Sequence, residues 1–134
     1  MLKKLLIVFA AGCLGGLANS LAVWSFGEFG ITHMADVSIA PALTPAWLYP
    51  RIVWGGLWGF LFLLPMLTGK TVSRGFLLSL FPTMIQLFVV FPYKAHKGMA
   101  GLELGLLTPL FVIFYNFIWG VTTAYAVKLA GKGI

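Results

Sequence analysis

The chain has 134 residues, of which 60% are hydrophobic and only 9% charged, with 9 Lys+Arg against 3 Asp+Glu. A soluble domain carries about 25% charged residues, and a chain this small folding alone in water leaves a large share of its surface exposed. The polar side chains here are too few to cover it, which excludes a soluble enzyme, a disordered region and a disulfide-stapled secreted domain; the single cysteine, Cys13, cannot bridge within the chain.

What remains is an integral membrane protein of one domain, residues 1–134. A membrane-crossing α-helix needs about 20 mostly apolar residues, and the apolar runs are continuous rather than alternating, which favours helices over a barrel. The expected fold is all-α, a bundle of four transmembrane helices.

The first span is expected over residues 5–26. The opening Met1-Leu2-Lys3-Lys4 resembles a secretory signal, and Ala10-Ala11-Gly12-Cys13 loosely resembles a lipoprotein processing site. The apolar stretch before Cys13 is short and hydrophobicity continues well past it, so a retained anchor is expected. Gly12, Gly16 and Ser20 fall at i, i+4 and i+8, with Gly15 and Asn19 alongside. Such a stripe lets a partner backbone come close, which matters in lipid, where no hydrophobic drive brings helices together.

The second span is expected over residues 45–67, opening on Thr44-Pro45, with Arg51 in its second turn and the pair Gly55 and Gly59 beyond. The third, residues 75–91, is the shortest and contains Pro82. The fourth, residues 109–127, opens on Thr108-Pro109. In both Thr-Pro pairs, Thr can cap a helix start and Pro fits the first helical position. Trp24, Trp47, Tyr49 and Tyr93 fit an outer aromatic belt and Tyr125 an inner one. Trp54, Trp58 and Trp119 lie deeper, where packing against another helix is expected.

Basic residues orient the chain. Lys3, Lys4, Lys70, Arg74, Lys128 and Lys132 lie on one side, and Arg51, Lys94 and Lys97 on the other. Both termini are therefore expected in the cytoplasm of a bacterial inner (plasma) membrane, with the cytoplasmic lysines touching anionic lipid head groups. No basic run with interleaved aromatics supports nucleic-acid binding.

The halves, residues 1–68 and 69–134, look related. Leu43-Thr44-Pro45 recurs as Leu107-Thr108-Pro109 and Trp54-Gly55 as Trp119-Gly120, while Gly12 pairs with Gly75 and His33 with His96. Two spans per half restore the starting side, so the expectation is two tandem parallel helix-hairpin repeats.

Asn19, Arg51, Gln86 and Asn116 are the strongly polar residues within the spans, one per helix. Counted from the outer helix ends they lie at a common depth of roughly 8–11 Å. They read either as interhelical hydrogen bonds, with Arg51 reaching to the head groups, or as a substrate-binding vestibule open to the outside, with Arg51 as its fixed positive charge. His33, His96, Glu28, Asp36 and Glu103 all fall on the outer face, and His33 with His96 is a candidate metal pair. Ligand spacing is absent, and isolated loop histidines are more often solvent-exposed or hydrogen-bonded than ligands.

Absences narrow the function. No carboxylate lies inside a span, against a proton-coupled carrier. Both histidines lie outside the helices, against a membrane haem subunit, and no catalytic residues or cofactor motif stand out. The leading expectation is a non-catalytic subunit or accessory protein, packing against a partner or a second copy through Gly12, Gly16, Gly55 and Gly59. The alternative is a small channel or uncoupled carrier for a small anionic or polar solute. A third is a metal site or enzyme at the outer face.

Overall fold

A computed structural model describes residues 2–37, 39–64, 70–94 and 98–131, and every regular element among them is helical. Helix α1 is Leu2–Glu28, α2 is Ile31–Met34, and α3 is Pro45–Trp58, continued by a 3₁₀ segment, Gly59–Leu63. Helix α4, Thr71–Ile85, runs on as a π-helical segment, Gln86–Lys94; a 3₁₀ segment, Met99–Leu104, leads into α5, Thr108–Gly131.

Three helices are long and apolar enough to cross a membrane: Leu2–Glu28, Thr71–Tyr93 and Thr108–Ala130. Each encloses an expected span and extends it at both ends. The expected second span starts as the sequence predicts. Pro45 occupies the first turn of α3, and the Thr44 hydroxyl accepts a hydrogen bond from the Trp47 amide at 3.2 Å. Its α-helical part stops earlier, at Trp58, and the backbone tightens into the 3₁₀ segment. Arg74 then takes the end: its Nη2 donates to the carbonyls of Phe62 at 2.6 Å and Leu64 at 3.2 Å, acceptors that a continuing helix would have used. Residues 65–69 lie outside the described residues.

Thr108 departs from its expected role. Helix α5 begins at Thr108 itself, and the hydroxyl is buried with no partner among the described residues.

Helix α1 packs on α3 along one side and on α5 along the other, and α4 packs on α5; no comparable packing joins α3 to α4. The small residues make the close contacts. A Cβ added to Gly12 would lie 2.9 Å from the Gly59 Cα, and one on Gly55 would lie 2.8 Å from the Gly16 Cα. Between α4 and α5, a Cβ on Gly75 would lie 2.7 Å from the Gly120 carbonyl carbon. Backbone thus touches backbone, the contact that dispersion and packing favour in lipid.

Polarity runs opposite to that of a soluble fold. Leu6, Leu14, Leu110 and Leu129 are more than half exposed, while Asn19, Ser20, Ser79, Thr83, Asn116 and Thr123 are buried. Several hydroxyls are satisfied within their own helices: Ser79 donates to the Phe76 carbonyl, Thr83 to Ser79 and Thr123 to Trp119, each at 2.7 Å. Hydrocarbon outside and hydrogen-bonded polar groups inside suit a bilayer. At one end, the Thr32 hydroxyl donates to the Ile39 carbonyl at 2.8 Å, tying α2 to the segment that follows it. There Gly105 also lies close to Asp36 and Val37, drawing the two interhelical segments together.

Candidate functional site

The four polar residues of the spans meet. Arg51 on α3 donates from Nη2 to Asn19 Oδ1 on α1 at 2.7 Å and from Nε to Ser20 Oγ at 2.9 Å. Asn19 Nδ2 donates to the Tyr115 carbonyl on α5 at 2.7 Å and to Asn116 Oδ1 at 3.2 Å. Asn116 Nδ2 in turn donates to Thr83 Oγ1 at 3.0 Å and to Gln86 Oε1 at 3.3 Å, both beyond α5 on the α4 side. A continuous polar chain, Arg51–Asn19–Asn116–Gln86, therefore crosses the protein from α3 to the end of α4.

Its polarity follows from its ends. A guanidinium only donates and a carbonyl only accepts. Asn19, held between Arg51 and the Tyr115 carbonyl, must present Oδ1 to the first and Nδ2 to the second. That fixes Asn116, whose Oδ1 faces Asn19 and whose Nδ2 faces outward to Gln86. Gln86 must then accept through Oε1, which leaves its own amide nitrogen without a partner among the described residues. Arg51 Nη1 is likewise unused. Arg51 and Gln86 thus each keep an unpaired nitrogen donor among the described residues, and the charged one of the two offers donors alone.

Two cavities adjoin this chain, and all four residues line both. One, of about 330 Å³, lies between α3 and α4, with Pro50, Trp54 and Trp58 on one wall and Pro82, Ile85 and Val90 on the other. The second, of about 390 Å³, is bounded by α1 and α5 and covered by Ile39, Ala40, Pro41 and Leu104 from the interhelical segments. Tyr115 lines it and carries a buried hydroxyl with no partner among the described residues.

Helix architecture accounts for these positions. Pro82 has no amide to offer the Leu78 carbonyl, and its ring crowds the preceding turn. The helix widens into the π register a few residues later, at Gln86. Arg51 turns inward to α1 rather than out to head groups, its guanidinium 4.7 Å from the centre of the Trp47 ring. Trp47, expected in the aromatic belt, is thus a lid on Arg51. Trp119 packs as expected, buried, with its Nε1 donating to the Gly55 carbonyl at 3.2 Å. Trp54 does not: it is 54% exposed, because α4 stands away from α3.

Sequence reasoning did not name Ser20 and Thr83 as partners. The sequence shows Ser20 only as part of a small-residue stripe, although it directly follows Asn19, and Thr83 carries no signal of its own. Of the candidate metal pair only His33 falls among the described residues. His33 is exposed on α2 and His96 lies outside them. No cluster of three or more His, Cys, Asp or Glu side chains occurs among the described residues. Gly12, Gly16, Gly55 and Gly59 all lie where α1 meets α3 and its 3₁₀ continuation. No protein family, curated protein or solved structure matches this chain.

Proposed function

We propose that this chain is a four-span protein of a bacterial plasma membrane, both termini cytoplasmic, that admits a small anion as a channel or uncoupled carrier. The observation that carries this reading is the pair of unpaired donors on Arg51 and Gln86 at the junction of two cavities. Arg51 is bound to neutral groups, and a guanidinium in low dielectric favours a counter-charge. A carboxylate or halide accepts hydrogen bonds and offers none in return, and phosphate accepts through most of its oxygens, which complements those donors.

The length of the second helical segment supports four spans. Fourteen α-helical and five 3₁₀ residues rise about 31 Å together, close to the hydrocarbon thickness of about 30 Å. Paired contacts support the two-hairpin repeat. Gly12 lies against Gly55 in the first half and Gly75 against Gly120 in the second. Arg51 bonds Ser20 in the first half, and Asn116 bonds Thr83 in the second. Each contact is reproduced 63 residues on in the first helix of a half and 65 in the second. The site is then the place where the halves differ, Arg51 standing opposite its neutral mate Asn116.

The accessory-subunit reading draws on the glycine stripes, and these are already occupied inside the chain. The test is flux of chloride, formate and inorganic phosphate from liposomes holding the purified protein. At least one should leak, and Arg51→Gln should abolish the leak while the protein still elutes as a folded species. Unchanged flux in Arg51→Gln, or none for any anion, removes the reading.

A further inference from the structure

The cavity between α3 and α4 has two chemically different parts. Its floor is the polar chain, while its walls are tryptophan, proline, isoleucine and valine. Wall residues Trp54 and Ile85 are 54% and 38% exposed, and neighbouring Val53, Met84 and Val89 are each about half exposed. With no packing contact comparable to the others between α3 and α4, the cleft opens sideways, onto the flank that hydrocarbon covers in a membrane.

The sequence explains why it stays open. At the α1–α5 contact, Gly15 lies against Trp119 and Thr123. Stepping by the same offsets, the corresponding positions on α4 and α3 are Leu78, Trp54 and Trp58. Leu78 is fully buried, and Trp58 packs against the cluster that contains it. Where glycine and threonine let two backbones meet, leucine and tryptophan hold two helices apart.

A small hydrated anion gains nothing from an apolar wall that faces lipid. We infer that the cleft binds an anionic phospholipid, entering sideways, with its phosphate oxygens on the spare donors of Arg51 and Gln86 and a hydrocarbon chain along Trp54, Trp58, Ile85 and Val90. This rests on the reading of Arg51 as an anion site and names the occupant of its cleft. A zwitterionic head group fits less well, because its ammonium would lie close to the Arg51 guanidinium.

The experiment uses the full chain in phosphatidylcholine vesicles containing a minor fraction of either brominated phosphatidylglycerol or brominated phosphatidylcholine, with tryptophan quenching as readout. Lipid around the exposed surface, including phosphatidylglycerol drawn to the lysines, quenches the native chain and its Arg51 variants alike. The cleft should add a roughly five-fold preference for phosphatidylglycerol, the size that one basic residue confers on binding to anionic lipid. Arg51→Gln should lose the preference, Arg51→Lys should keep most of it, and Trp54→Phe/Trp58→Phe should remove the preferential quenching. Equal quenching by the two lipids in the native chain overturns the inference. If soluble-anion flux still depends on Arg51 in that case, the proposed function stands without the lipid; if that dependence is missing too, both fall.

Discussion

Asn116 is the residue on which the polar chain turns, since it joins Asn19 to both Thr83 and Gln86. Hydrogen bonds between membrane helices contribute about 0.6 kcal/mol each, so Asn116→Leu should cost about 2 kcal/mol, read as a lower midpoint of thermal unfolding in detergent. Asn19→Ala should lower the midpoint by a similar amount, since Asn19 also makes three hydrogen bonds; it strips Arg51 of one side-chain partner as well and frees the guanidinium to reorient, so anion flux should fall several-fold. Composition and span counting found all four members, because amides and a charge inside apolar runs are conspicuous. They did not reveal that Arg51 turns inward, because the choice between head groups and a neighbouring helix depends on Ser20 and Asn19 arriving at the right angle.

At the level of single helices, the glycines divide by what stands opposite them. Gly75→Leu and Gly120→Leu drive a side chain into facing backbone, where nothing can swing away. Both should abolish the folded peak in size-exclusion chromatography. Gly30→Ala meets open space and suffers only the left-handed backbone at φ +74°, a cost of about 1 kcal/mol. Pro82→Ala should restore an amide to the Leu78 carbonyl and stiffen α4. Its unfolding midpoint should rise, by up to about 3 kcal/mol in stability, while flux falls as the cavity wall straightens. The Thr44-Pro45 start was legible because capping is local. The end of the 3₁₀ continuation of α3 at Leu63 was not, because Arg74 reaches back from the next helix to take the carbonyls of Phe62 and Leu64.

For the whole molecule, the arrangement of basic residues sets the sidedness. In a Cys13→Ala background, a thiol at position 33 should react from outside the cell and one at position 70 only from within; the opposite pattern would invert the site. The all-helical class and three long apolar helices were readable from run lengths alone. The separation of α3 from α4 was not, since it arises from bulk at Leu78 and Trp58 that becomes meaningful only against the contact between α1 and α5. The neutral surroundings of Arg51 carry an electrical corollary. With no acid to exchange a proton against the load, each monovalent anion that crosses moves a net charge through the field, worth about 2.3 kcal/mol per 100 mV. Efflux from sealed vesicles should therefore stall within its first moments, and resume when valinomycin lets potassium follow.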